Sequence, residues 1–151
     1  MNLYEEFFTL VSSLNKAGIK YAVIGGIALA FYDHPRFTRD IDLLVKPQDF
    51  DQLRQRLSEL GYHEKAEPWT FSHTNLTLHR FAKCVGKDIL IVDILLAGSK
   101  ESQSIVERAL ECESDSGVVR VATRSDLIWL KQLRNSPQDI VDIEGLKNDQ
   151  D

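Results

Sequence analysis

Two aspartates open an apolar run in the segment Phe37-Thr38-Arg39-Asp40-Ile41-Asp42-Leu43-Leu44-Val45. Side chains along a strand alternate between its two faces, so Asp40 and Asp42 share one face. The remainder, Leu43-Leu44-Val45, has the character of a buried strand. A chain holding this segment must therefore carry two like charges side by side at the mouth of an apolar strand. Such charges repel each other and resist desolvation. They make sense with something positive between them, and a hard divalent cation with oxygen ligands is the natural candidate.

Upstream, Lys20-Tyr21-Ala22-Val23-Ile24 reads as a short strand, which Gly25-Gly26 ends before a helix over Ile27–Tyr32. A strand–Gly-Gly–helix junction lets the backbone approach a ligand and points free N–H groups toward phosphate oxygens. Phosphate donors beside a carboxylate pair suggest a nucleoside triphosphate with Mg²⁺, or Mn²⁺ in its place. The most apolar stretch, Lys87-Asp88-Ile89-Leu90-Ile91-Val92-Asp93-Ile94-Leu95-Leu96, reads as a central strand interrupted by Asp93. An ionised carboxylate there costs several kcal/mol unless an arginine pairs with it or a cation is coordinated. Asp88 lies at the strand edge and needs no special explanation.

Gly25-Gly26 followed by Arg36-x-Thr38-x-Asp40-x-Asp42 resembles the signature of the nucleotidyltransferase superfamily with a DNA polymerase β-type core. The Arg-x-Thr-x-Asp-x-Asp version resembles its minimal branch, which includes abortive-infection-type toxins. The superfamily places a third aspartate on a later central strand, and Asp93 matches. The branch also resembles the stretch from Lys131 to Asp139-Ile140-Val141-Asp142, a lysine followed by an Asp-x-x-Asp helix. The resemblance implies metal-binding and catalytic roles for Asp40, Asp42 and Asp93. It implies nucleotide-binding roles for Gly25, Gly26, Arg36, Thr38, Arg39 and Lys131. Asp139 has an alternative role as a helix cap, and Asp142 as a partner of Lys131 or Arg134.

The implied fold is α/β (α+β): a mixed central sheet with flanking helices, a catalytic core over about 18–97 and a helical tail over about 125–147. A chain of 151 residues, 43% of them hydrophobic, is expected to form one such domain. Its longest apolar run is too short to span a bilayer, and its acidic N-terminus is unlike a signal peptide. Cys84 and Cys112 show no metal-binding spacing and suggest buried or free thiols in a reducing compartment, by default the cytoplasm. The net charge of −5 argues against binding of long DNA.

The remaining pattern alternates helix and strand. A helical stripe runs from Leu3 to Ala17 through Phe7, Leu10, Val11 and Leu14. A second helix is expected from Lys46-Pro47 to Leu60, stopped by Gly61. Trp69–Lys83 is expected to form a hairpin bending near His73 or Asn75. A helix is expected over Glu101–Leu110, a strand over Val118–Val121, and a helix capped by Ser125 that ends near Arg134. Ser136-Pro137-Gln138-Asp139 resembles a capping box. Trp69 and Trp129 are read as core residues, His34 as a surface-loop residue with contact to a nucleotide as its alternative, and His63, His73 and His79 lack metal-ligand spacing. His73, His79 and Arg80 are placed beside the acceptor by conjecture.

The resemblance implies attack by an acceptor hydroxyl on the α-phosphorus of a nucleoside triphosphate, with pyrophosphate leaving. The acceptor is an RNA 3′ end, a protein hydroxyl or a small molecule such as an aminoglycoside or lincosamide. The toxin-like motif favours RNA or protein; the acidic balance favours something smaller. An antitoxin chain or a second copy is the partner this raises. Two other classes stand beside it: a Mg²⁺-dependent nuclease, and a non-catalytic nucleotide-binding or antitoxin-like protein of the same fold.

Overall fold

The computed structural model describes residues 2–72, 74–134 and 137–148. The first half of the chain contains α1 (Leu3–Lys16), β1 (Tyr21–Ile24), α2 (Gly25–Phe31), β2 (Asp40–Val45), α3 (Phe50–Glu59), β3 (His63–Glu64) and β4 (Trp69–Thr70). The second half adds β5 (Leu76–Val85), β6 (Asp88–Ala97), α4 (Lys100–Glu107), β7 (Leu110–Ser114), β8 (Gly117–Val121), α5 (Arg124–Arg134) and α6 (Pro137–Asn148). The strands form one mixed sheet in the order β3-β5-β6-β2-β1-β8-β7, with β4 also pairing β5. The sheet flanked by helices is the architecture expected from the sequence.

Each element follows from local chemistry. The Asn2 side chain accepts from the N–H groups of Tyr4 and Glu5 and so starts α1. Phe7, Leu10, Val11 and Leu14 of that helix are buried. The alternate positions Ile41, Leu43 and Val45 of β2, with Val92 and Ile94 of β6, enter the same core. α1 and α4 pack on these strands. Asp40 and Asp42 thereby face the opposite way.

Several boundaries differ from expectation. The helix after β1 begins at Gly25 itself, not at Ile27. Pro47–Asp49 makes a 3₁₀ turn before α3, and Gly61, at φ 93°, ends the helix. Trp69–Thr70 does pair back on β5, but His73, expected near the bend, lies outside the described residues. The dominant partner of β5 is β6: ten cross-strand pairs run from Leu76↔Ala97 to Val85↔Asp88 around Gly86 at φ 60°.

The helix expected to reach Leu110 stops at Glu107, because Leu110 pairs with Val121 in the unexpected strand β7. That edge strand is mostly exposed and has no apolar face for periodicity to reveal. Thr123, not Ser125, caps α5: its Oγ1 accepts the Asp126 N–H at 3.1 Å. The Ser136 half of the capping box lies outside the described residues. Cys84 and Cys112 are free thiols, the first exposed and the second partly buried. Among the described residues no helix is long and apolar enough to cross a membrane.

Candidate active site

Strands β2 and β6 are parallel, and Asp42 pairs with Asp93 in their register. Residues directly opposite on neighbouring strands project to the same face. Asp40, two positions earlier on β2, projects to that face too. The structure thus brings all three expected carboxylates to one face of two adjacent strands. Burial, and then the charge of Asp93, holds the Asp40 carboxyl above its usual range, while Arg80 and Arg39 oppose the shift. This crowding of oxygen donors fits a hard cation, the species that relieves it. Among the described residues no group of three or more His, Cys, Asp or Glu side chains is arranged, as it stands, to hold a metal ion.

Asp93 is only 5% exposed, and its charge is met by an arginine. Arg80 Nε donates to Asp93 Oδ1 at 2.9 Å, and Nη2 donates to Oδ2 at 3.0 Å. The arginine-paired alternative for Asp93 is thus the arrangement seen in the structure. A carboxylate has about four acceptor sites, so the fork leaves one on each oxygen for a further ligand. Arg80 faces Asp93 because the two are opposite in the β5–β6 ladder. Sequence reasoning placed Arg80 beside the acceptor without finding this pairing. The signal was parity, since Leu76, Leu78 and Arg80 alternate on one face of β5.

Gly25 has φ 71°, a conformation that favours glycine, and a methyl group built there would lie 2.1 Å from Asp42 Oδ2. The Asp42 carboxylate thus rests directly against the start of α2. At Gly26 a methyl group would lie 2.8 Å from Thr38 Cβ and 3.4 Å from Arg36 Nη1. Gly26 thus lets the segment carrying Arg36 and Thr38 close over the start of α2, as Gly25 lets Asp42 of β2 do. Thr38 Oγ1 accepts from the Asp40 N–H at 3.4 Å and turns the chain into β2. Arg39 is exposed, with its guanidinium 5.4 Å from the Phe37 ring.

Lys131 is 5% exposed, so it is not a solvated surface lysine. Its Nζ donates to Asp142 Oδ2 at 3.0 Å and lies 3.9 Å from Asp139 Oδ1. Asp142 Oδ1 is also 3.2 Å from Arg36 Nε, an ion pair whose alignment falls short of a hydrogen bond. α6 thereby holds two of the expected nucleotide-binding cations. His34 packs near it, with Nδ1 3.3 Å from where a Gly145 methyl would be.

A cleft opens beside Asp42 and Asp93, bounded by Gly25, Lys131 and Arg80 and walled by apolar side chains of β4, β5 and α5. Trp69 lines it and is 42% exposed; Trp129 is 37% exposed; the expectation that both are core residues is therefore corrected. His79 lies on the other face of β5, where it meets Glu64 at 2.7 Å and stacks on Phe50, away from the cleft. This overturns the conjecture that it lines the acceptor side.

A family model of uncharacterised nucleotidyltransferases matches residues 1–130. Among solved structures, the fold is similar to a lincomycin-bound lincosamide antibiotic adenylyltransferase: TM-score 0.67, 14% identity, 95% of each chain covered. A candidate nucleotidyltransferase from Thermotoga maritima aligns with TM-score 0.65 and 12% identity, over 91% of this chain and 89% of that one. The enzyme ANT(2″)-Ia, in complex with adenylyl-2″-tobramycin, aligns with TM-score 0.59 and 15% identity, over 94% and 86%. No curated protein matches by sequence.

Proposed function

Because the chain belongs to a family of nucleotidyltransferases, we propose that it transfers a nucleoside monophosphate from a nucleoside triphosphate to an acceptor hydroxyl. The observation that carries this is the pairing of Asp42 with Asp93 across parallel strands, with Asp40 on the same face and Gly25 against Asp42. Asp40, Asp42 and Asp93 would hold Mg²⁺ or Mn²⁺, with phosphate oxygens and water completing the ligands. Bound there, the cation would polarise the phosphoryl oxygens and stabilise negative charge on the attacking and leaving oxygens.

The chain's own residues do the rest. Gly25 and Gly26 allow close approach of the triphosphate, Arg36, Thr38 and Arg39 border it, and Lys131 offsets charge on the departing pyrophosphate. Arg80 fixes the plane of Asp93 and so the position of the acceptor hydroxyl. Using a cellular triphosphate fits a cytoplasmic site of action. The test is transfer of label from each α-labelled triphosphate. Asp42→Asn is expected to abolish transfer while leaving the fold intact; full activity in that variant overturns the assignment.

A specific observation favours a small-molecule acceptor of the antibiotic kind over the alternatives. The fold aligns with that of the lincomycin-bound lincosamide adenylyltransferase over 95% of each chain, and the wall of the cleft beside Asp93 is apolar. The resemblance of Arg36-x-Thr38-x-Asp40-x-Asp42 to abortive-infection toxins supports a second reading, a growth-arresting toxin held by an antitoxin. Growth arrest on induced expression, lost with Asp42→Asn, is its test.

A further inference from the structure

The sheet order separates two sides of the site. Gly25 and the Asp40/Asp42 strand lie on the β1–β2 side of Asp93, whereas β5 and β4 lie beyond it. On the β1–β2 side the chain offers glycines, Arg36, Thr38 and Arg39. Beyond Asp93 it offers Trp69, Phe71, Leu76 and Leu78, faced across the cleft by Leu127 and Leu130 of α5. Among the described residues, four ionisable side chains line the cleft: Asp42, Arg80, Asp93 and Lys131. Arg80 is engaged by Asp93 and Lys131 by Asp142.

We infer that the acceptor is a small hydroxyl compound with an extended apolar face and at most one charge, seated against the Trp69 wall. This rests on the nucleotidyl-transfer reading above. A polyamine needs carboxylates beyond those proposed for the cation, and among the described residues the lining has none. An RNA end needs further cations for its backbone and a basic track, but of the lining cations among the described residues Arg80 is held by Asp93 and Lys131 is assigned to the pyrophosphate, and the chain carries a net −5. An apolar face is what this wall desolvates at no polar cost. Trp69 connects wall to chemistry: its ring lies 5.9 Å from the guanidinium that grips Asp93, and it meets Phe71 edge-on at 6.4 Å. In the reaction the acceptor oxygen bonds to the α-phosphorus, the bond from that phosphorus to the β-bridging oxygen breaks, and pyrophosphate leaves with the electron pair. The hydroxyl proton passes to solvent.

The full chain is incubated with Mg²⁺, each α-labelled triphosphate and four fractions of a cell extract: RNA, protein, cation-exchange-retained and reversed-phase-retained small molecules. Lincomycin and tobramycin are run alongside as single-amine and polyamine probes. Label is expected in the reversed-phase fraction, and on lincomycin ahead of tobramycin if either is labelled. Label chiefly on RNA, protein or polyamines overturns the inference and leaves nucleotidyl transfer standing. No label anywhere overturns both.

With the labelled acceptor, Trp69→Ala is expected to raise the acceptor KM about tenfold, the scale of one lost aromatic contact. The triphosphate KM should stay within about twofold of wild type, well short of that loss. A raised triphosphate KM with an unchanged acceptor KM makes the wall a base-binding surface and overturns the inference.

Discussion

Asp142 joins Lys131 of α5 to Arg36 of the segment between α2 and β2: one carboxylate oxygen accepts from Lys131 Nζ at 3.0 Å, and the other lies 3.2 Å from Arg36 Nε. Two cations from distant parts of the chain are thus held by a single buried group. Asp142→Asn keeps the shape and removes the charge, leaving Asp139 at 3.9 Å as the remaining counter-ion of Lys131. We expect a loss of about 2–3 kcal/mol, somewhat less than for breaking a fully isolated buried pair. We also expect a higher triphosphate KM with a smaller effect on kcat. Urea denaturation and steady-state kinetics check both, and wild-type values for each would mean the node holds nothing.

Gly25→Ala forces a methyl group onto Asp42 Oδ2 in a backbone conformation that suits glycine. The left-handed conformation alone costs about 1–2 kcal/mol. Because relief requires Asp42 to move, activity is expected to fall by about two orders of magnitude, more than stability accounts for. Gly18→Ala is the control: it also has positive φ, 71°, but meets nothing within 4 Å. It should share the backbone cost and retain transfer, and equal loss of transfer in both variants would refute the steric account.

Arg80→Leu strips the fork from Asp93, which is buried, whereas Arg80 itself is partly exposed. The loss expected from an uncompensated carboxylate, eased by solvent near Arg80, is about 1–3 kcal/mol. Arg80→Lys restores charge without the two-point grip and should recover more stability than activity. Saturating Mg²⁺ should narrow the stability gap of Arg80→Leu, read by thermal melting. No narrowing would argue against cation binding at Asp93.

Asp40 gives a pH prediction. Its folded pKa is raised, first by burial and then by Asp93. Ionising it therefore destabilises the fold, and the penalty develops as pH rises from the unfolded carboxylate range through the higher folded value. Without Mg²⁺, Asp40→Asn should melt above wild type at neutral pH and lose that advantage on acidification below about 4. With Mg²⁺ the order should reverse, since only the wild type gains a ligand. An advantage independent of pH would show that the crowding is not electrostatic.

The carboxylate site was legible because its rules are local. Period 2 put Asp40 and Asp42 on one face, and the interrupted apolar run marked Asp93. Their meeting depends on a parallel register, Asp42↔Asp93, that no single segment encodes. The Arg80 fork was hidden for the same reason, although the alternation of Leu76, Leu78 and Arg80 foreshadowed the face. β7 escaped because an exposed edge strand such as Leu110–Ser114 buries nothing that periodicity can detect. Trp69 was misread as core because large aromatics usually are; only the pairing Trp69↔Leu78 turns it onto the rim of the cleft.

The shared ladder of β2, β6 and β5 also determines how this site can fail. A slip of one residue in β6 would turn Asp93 toward the core face occupied by Val92 and Ile94, and would present an aliphatic side chain to Arg80 and Asp42. No partial version of the constellation lies one step away, so insertions or deletions within these strands are all-or-none. Drift toward new substrates is left to the parts outside that ladder: the short strand β4, the exposed face of α5, and the segment around Phe37.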